Sequence, residues 1–172
     1  MTIGAISRSE RHPTCRYLKS AIPRPRLVIT PEVMNGMTAL SHTLLRERRL
    51  LELLTYRLET QHHLLSSGRA RFISLAAREI EDVLDEIGHT ELERAVQVSD
   101  IAERLGLPDE PTLDQIVERA PQPWKEILAE HRHALRAAAD EIDRLTAGNR
   151  ALLEAAYLAS AASVAAAEGA LT

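Results

Sequence analysis

The side chains best suited to chemistry in this chain are four histidines in two close pairs. His62 and His63 are adjacent, and His131 and His133 are two residues apart. Metal ligands on one helix must be three or four residues apart to share a face, so neither pair predicts a metal site. A histidine that accepts a phosphoryl group on a helical bundle is usually followed by lysine and glycine, which His63 lacks. We therefore expect His63 to be a solvent-exposed side chain.

An acidic cluster is the second candidate for chemistry, and it consists of Glu79, Glu81, Asp82, Asp85 and Glu86. Arg78 precedes Asp82 by four residues, which is typical of ion pairing along a solvated helix face. The sequence offers no nucleophile beside a base, no glycine-rich phosphate loop and no carboxylate pair in an apolar segment. We therefore predict no catalytic residue, no cofactor or metal site and no enzyme activity.

Composition indicates a helical protein of one domain. The chain has 172 residues, of which 45% are hydrophobic and only 3% aromatic, so leucine, isoleucine, valine and alanine must build the core. The single cysteine, Cys15, fits a reducing compartment, and we expect a cytoplasmic location. No apolar run reaches the roughly 20 residues that span a bilayer, which predicts no membrane insertion and no signal peptide.

The first 36 residues differ in charge from the remainder. They contain six basic and two acidic residues, a net charge of +4, whereas the remainder has 15 basic and 23 acidic residues, a net charge of −8. Prolines and the lack of periodicity predict that residues 1–36 are disordered and that residues 37–172 form the folded domain. This basic extension is either an arm for nucleic acid or membrane, or a stretch upstream of a true start at Met34 or Met37, which we favour.

Apolar periodicity predicts a helix from Thr38 to a stop at Ser66, Ser67 and Gly68. Its heptad seam is formed by Leu40, Leu44, Glu47, Leu51, Leu54, Leu58, Gln61 and Leu65. The next helix should begin near Arg69, shift its register by about one position near Gly88 and end at Gly106 and Pro108. After the shift its seam would be Ala95, Val98, Ala102 and Leu105. A short helix is predicted from Leu113 to Arg119.

The last helix carries the longest apolar heptad of the chain, interrupted by one asparagine. Its seam after Trp124 is Leu128, His131, Leu135, Ala138, Ile142, Leu145, Asn149, Leu152, Ala156, Ala159, Ser163 and Ala166. At 1.5 Å per residue this helix would be on the order of 60 Å long. The predicted fold is therefore all-α, an elongated antiparallel three-helix, coiled-coil-like bundle with a short linking helix.

The segment 98–120 has the spacing of a helix-turn-helix, which gives a helical DNA-binding regulator as one alternative function. The second helix of this segment and its approach contain Asp109, Glu110, Asp114 and Glu118, with Arg119 the one opposing cation. These carboxylates would repel phosphates where recognition helices usually present cations or amides. We therefore expect no nucleic-acid binding.

From about residue 38 to residue 168 the chain resembles the flagellar export chaperone family FlgN, in its actinobacterial form. The resemblance rests on LLRERRLLELLTYRLE, LLSSGRARFISLAAREIEDVLDEI, ELERAVQVSDIAERLGLP, APQPWKEIL and IDRLTAGNRALLEAA, in this order and spacing. It implies a cytoplasmic, ATP-independent chaperone of the flagellar type III export system without catalytic residues. It further implies binding of the hook-filament junction proteins FlgK and FlgL and their delivery to the export gate.

Such a chaperone needs an exposed apolar stripe for amphipathic client segments, and the end of the last helix offers one. The predicted client-binding residues are Leu145, Asn149, Leu152, Leu153, Ala156, Tyr157 and Val164. Within this set we expect the stripe before Asn149 to be core and residues 152–164 to meet the client. The stripe could instead pack on the first helix or form a homodimer, so a self-associating structural coiled coil is the other alternative function.

Overall fold

The computed structural model describes residues 30–169, and these residues are helical except at the connecting turns. In chain order the α-helices are α1 (Pro31–Ser66), α2 (Ile73–Leu105), α3 (Leu113–Arg119) and α4 (Trp124–Gly169). A 3-10 helix at Ala70–Phe72 precedes α2. The described residues contain no strand, and the predicted all-α helical bundle is confirmed.

Helix α1 begins six residues before the predicted domain boundary. The Thr30 side chain caps the helix by accepting a hydrogen bond from the backbone N–H of Val33, and Pro31 occupies the first turn. Val33 and Met37 continue the Leu40 seam toward the N-terminus and are buried. The prediction of disorder was therefore wrong for residues 31–36, whereas residues 1–29 lie outside the described part of the chain.

The predicted helix ends are confirmed at both glycine turns. Helix α1 stops at Ser66, where Ser67 is the C-cap and Gly68 has a φ of +66°. Gly106 ends α2 with a φ of +62°, a left-handed conformation that glycine adopts without steric cost. Helix α3 has the predicted bounds because Thr112 and Gln115 form a capping box at its start.

The register shift predicted near Gly88 is wrong at that position, because the buried seam passes from Val83 and Ile87 to Thr90 with unchanged spacing and the helix is continuous through Gly88. Of the residues predicted to follow the shift, Ala102 and Leu105 are buried and Val98 is half-buried. Ala95, assigned to the seam after the expected shift, is exposed. The seam near Gly88 was predicted wrongly because polar Thr90 and Arg94 occupy seam positions at which the heptad pattern expects apolar residues.

Helix α1 is the central element, since it packs against both α2 and α4. It runs antiparallel to α2, as the Arg46–Glu93 and Arg57–Glu79 ion pairs show. It runs parallel to α4, because Ser41 contacts His131 and His62 contacts Asn149. Helix α3 packs on the first half of α4.

Two apolar clusters form the core. The end cluster contains Val33, Met37, Leu40, Leu44, Ile101, Leu105, Ile116, Val117, Ala120 and Leu128. The middle cluster contains Leu50, Leu54, Leu58, Val83, Ile87 and Leu145. Where the two clusters meet lies a polar layer, in which Thr43 and Glu47 of α1 and Thr90 of α2 are buried. None of the helices within residues 30–169 combines the length and the hydrophobicity that a membrane span requires.

Candidate partner-binding surface

Asn149 ties α4 to the C-terminal end of α1. Its side chain is only 3% exposed, and its amide N–H groups donate to the backbone carbonyl of Leu58 at 2.9 Å and to Oε1 of Gln61 at 3.0 Å. Its Oδ1 lies 3.0 Å from Nδ1 of His62, which places the donated proton of this pair on the imidazole. The side-chain amide therefore has partners for all of its groups, and it fixes the register of the two helices.

This alignment of the two helices determines the point at which α4 extends beyond the end of α1. Helix α1 ends at Ser66, four residues beyond His62, and the equivalent position on α4 is Leu153. Helix α4 continues to Gly169, 16 residues further, or roughly 24 Å at 1.5 Å per residue. Every side chain described from Leu153 to Ala166 is exposed. The end of α4 thus projects beyond the helix on which it packs.

One face of the projecting segment carries large apolar side chains. Leu153, Tyr157 and Val164 are 41%, 74% and 56% exposed, and together with Ser160 they follow a spacing of four, three and four residues. This spacing aligns them on one face, about 100° around the helix from the seam that faces α1. Leu152 and Ala156 continue the seam beside this face. We call Leu152, Leu153, Ala156, Tyr157 and Val164 together the terminal face.

Charge is almost absent from this part of the chain. Glu154 pairs with Arg150 at 3.0 Å, and no ionisable residue occurs between Glu154 and Glu168 except the phenol of Tyr157. Alanine and serine fill most of the remaining positions. The segment therefore offers an apolar surface with a smooth outline, which another helix can approach closely.

The structure separates the residues predicted for client binding into two groups. Leu145 and Asn149 are buried against α1, whereas Leu152 is half-buried and Leu153, Ala156, Tyr157 and Val164 are exposed. Leu158, which is 67% exposed on the opposite side of α4, was not predicted from the sequence to be part of an apolar surface. Gln61 and His62 were not predicted as partners of Asn149, although Gln61 occupies a predicted seam position.

The four histidines of the two sequence pairs differ in their exposure to solvent. His131 is buried, and its Nε2 lies 3.1 Å from the Ser41 hydroxyl. Burial lowers the pKa of His131, with the nearby Arg48 cation acting in the same direction. His63 is exposed, as expected. In the described part of the chain, no three His, Cys, Asp or Glu side chains are placed to hold a metal ion.

The polar layer contains Glu47, the one seam residue of α1 with a buried carboxylate. Glu47 is 5% exposed and lies 3.3 Å from Nε of Arg94 on α2, outside hydrogen-bond geometry. Burial raises the pKa of Glu47, and the Arg94 cation opposes part of this increase. Nearby, the Arg46 guanidinium donates to the Thr90 hydroxyl. These groups join α1 to α2 without forming an open site.

Helix α3 does not present a cationic surface. Its Ile116 and Val117 are buried in the end cluster, and Asp114 pairs with Arg132 and Arg136 of α4. The hydrogen bond from Arg132 lowers the pKa of Asp114. The arginines that could contact phosphate next to this helix are therefore engaged by a carboxylate, which disfavours DNA binding.

Comparison with known proteins gives one match. The model of the family described as FlgN protein matches residues 34–171, which are 138 of the 172 residues. The matched span begins within the first turn of α1 and includes the whole of α4. No curated protein and no solved structure matches the chain.

Proposed function

Because the chain belongs to the FlgN protein family, we propose that it is a cytoplasmic chaperone for the hook-filament junction proteins FlgK and FlgL. Family membership supports a flagellar export chaperone role in general. The identity of the two clients, their delivery to the export gate and the cytoplasmic location belong to the proposal. The same proposal assigns the chain no catalytic residue and no cofactor.

The projection of α4 beyond α1 is the observation that supports this function. An export chaperone must hold a segment of its client that has not yet folded, and such segments commonly form amphipathic helices when bound. A helix with one free end and an apolar face is a suitable receptor. The terminal face begins just beyond Asn149, whose hydrogen bonds hold α4 against the end of α1.

The composition of the terminal face suits a helical ligand. Small side chains such as Ala156 allow the two helix backbones to approach, while Leu153 and Tyr157 are large enough to act as anchors. Because the segment from Ala155 to Ala166 has no carboxylate or basic side chain, a bound client would not strand a charge in the interface. We propose that the client contacts all five residues of the terminal face.

Leu145 and Asn149 have a different role in this proposal. Leu145 belongs to the middle cluster, and Asn149 bonds to three residues of α1, so neither is free to meet a client while α4 stays docked. We propose that these two residues position α4 and hold its free end in place. They would affect client binding through the stability and orientation of the helix.

A matched pair of leucine substitutions tests both the function and the site. The full chain is co-expressed with FlgK or FlgL from the same organism, and the complexes are purified and quantified. Leu153→Glu should weaken binding by about tenfold or more, because a carboxylate replaces a central apolar anchor. Leu158→Glu introduces the same change on the opposite side of the same segment and should leave the affinity within about twofold.

Each failure of this experiment has a separate meaning. If neither FlgK nor FlgL copurifies with the unmodified chain, the proposed clients are wrong. If both variants lose binding equally, the client does not select the terminal face. A stable homodimer that excludes both clients, observed by sedimentation, would favour the self-associating coiled coil. Salt-dependent binding to duplex DNA would be the positive result for the regulator.

A further inference from the structure

A second apolar surface lies on α2, away from the seam that faces α1. Leu84, Leu92 and Val96 are 48%, 69% and 65% exposed. At about 100° per residue, these three side chains fall within one third of the helix circumference. Glu81 and Asp85 are exposed on the same side. We call these five residues the α2 stripe.

A cleft adjoins the C-terminal part of the α2 stripe. It lies between α2 and the segment that leads into α3, and its volume is about 360 Å³. Its lining includes the apolar residues Ala95, Val98, Pro111 and Leu113 and the charged residues Glu91, Arg94 and Glu110. The Arg94 cation is paired with Glu47 and Glu91. The stripe and the cleft together form an apolar surface with an acidic margin.

The acidic charge of α2 is only partly neutralised within the bundle. The helix has nine carboxylates and three arginines, a net charge of 3 − 9 = −6. Glu79 and Glu93 pair with arginines of α1. The side chains of Glu81, Asp82, Asp85 and Glu86 form no ion pair with any residue in 30–169, and all four are exposed. This surface therefore suits a cationic partner.

The residues that precede Thr30 have the complementary composition. Residues 1–29 contain six basic side chains and one acidic side chain, a net charge of +5. The basic residues are Arg8, Arg11, Arg16, Lys19, Arg24 and Arg26, and apolar residues such as Leu18, Ile22 and Leu27 lie among them. A segment with both basic and apolar side chains can place its apolar residues on the leucines of the α2 stripe and its basic residues on the carboxylates.

The position of Thr30 brings this segment within reach of the stripe. Helix α1 begins beside the C-terminal end of α2, where Val33 shares the end cluster with Leu105 and a Cβ on Gly36 would lie 3.2 Å from Ile101. From Leu105 to Leu84 is roughly 32 Å along the helix. An extended chain of 29 residues spans up to about 95 Å. The whole stripe is therefore accessible to residues 1–29 of the same molecule.

We propose that residues 1–29 bind intramolecularly to the α2 stripe and the adjoining cleft, with their basic side chains on the carboxylates of α2. Attachment in the same chain gives this weak, charge-dependent contact a high effective concentration. The bound segment would cover the exposed leucines of α2 and leave the terminal face of α4 free. This inference concerns a different surface from the proposed client site and does not depend on it. It applies to the chain that begins at Met1, and not to one that starts at Met34 or Met37.

Cys15 allows a direct test on the full chain, because it is the only cysteine and lies within the segment. A nitroxide spin label is attached to Cys15 of the isotope-labelled protein, and paramagnetic broadening is measured across the backbone amides by NMR. Broadening should concentrate on residues 84–99 of α2. Glu81→Lys with Asp85→Lys should reduce the ratio of bound to free segment by about tenfold, since attraction becomes repulsion at two positions.

Asp140→Lys with Asp143→Lys provides the matched control. These carboxylates are exposed on α4, so the change in charge is the same while the α2 stripe is untouched, and the broadening should persist. The proposal is overturned if α2 shows no broadening or if both double variants reduce it equally. It is also overturned if the same broadening arises between molecules, in a mixture of spin-labelled chain and isotope-labelled Cys15→Ser chain.

Discussion

At the scale of single residues, polar side chains on the helix seams determine how the helices align. Asn149 has bonding partners on α1 for both its amide N–H groups and its oxygen, so a shift of α4 along α1 would leave these groups unpaired. Thr90 and Glu47 perform a similar alignment between α1 and α2. An all-leucine seam would pack in several registers, whereas these residues favour one.

Glu47 should make stability depend on pH. Its pKa in the folded state is raised above the ordinary value of 4.5, so the folded state binds the proton more tightly than the unfolded state. Relative to Glu47→Gln, the unmodified protein should gain stability as pH falls through the raised pKa toward 4.5. It should lose this advantage as pH rises. Urea unfolding of both proteins between pH 4.5 and 7.5 measures the difference.

Comparing the unmodified protein with Glu47→Gln cancels the pH dependence of stability that other ionisable groups contribute to both. His131, whose pKa is lowered, reduces stability as pH falls below its ordinary value of 6.5, but it does so in both proteins. Glu52→Gln, at an exposed position of α1, is the control. An equal pH dependence for the Glu47 and Glu52 variants would contradict the role of burial at Glu47.

At the scale of elements, the C-terminal end of α2 and its interior use glycine differently. Gly106 has a positive φ and ends the helix, whereas Gly88 lies within it. A Cβ added at either glycine would meet no atom within 4 Å. Backbone conformation alone should therefore decide the effect of alanine at each position.

Gly88→Ala and Gly106→Ala should change stability in opposite directions. The first should raise the free energy of unfolding by about 0.5 to 1 kcal/mol, because alanine loses less entropy in a helix. The second should lower it by about 1 kcal/mol, because an L side chain is strained in the left-handed region. Chemical denaturation of the two variants gives both values. A change of the same sign in both would contradict the distinction.

At the scale of the whole molecule, the region that maintains the fold and the region proposed to bind the client are separate. The two apolar clusters and the polar layer lie between Val33 and Asn149, whereas the terminal face lies beyond them on α4. The projecting segment makes few contacts that could stabilise the fold. A chaperone that keeps a binding helix free must hold that helix from one end only.

Deletion of residues 156–172 should therefore remove client binding while changing the free energy of unfolding by less than about 1 kcal/mol.

Asn149→Ala, in contrast, should lower the free energy of unfolding by about 1 to 3 kcal/mol, because side-chain groups of Gln61 and His62 lose their hydrogen-bond partner. Urea denaturation and client copurification of both variants test this separation. A truncated chain that unfolds much more easily would show that the projecting end supports the bundle.

The helix bounds were the most predictable feature of this fold. Prolines, glycines and caps act through the local backbone, and the ends at Ser66, Leu105 and Arg119 were all predicted. The start of α1 was missed because the basic charge of residues 1–36 was given more weight than the spacing of Val33, Met37 and Leu40. For the candidate site, the heptad identified the seam of α4, but Gln61 and His62 were not predicted as partners of Asn149, because the packing register decides which side chains of α1 face it.

The helical character of the chain, the ends of its helices and the apolar stripes of α1 and α4 follow from the sequence alone, because these properties depend on neighbours along the chain. That Thr90 and Arg94 continue the seam of α2 follows only from the packed structure, since Arg94 meets Glu47 across the interface. The packed structure also places the end of α1 beside Leu153. Only the packing register of two helices can determine which part of an apolar stripe is core and which part remains exposed.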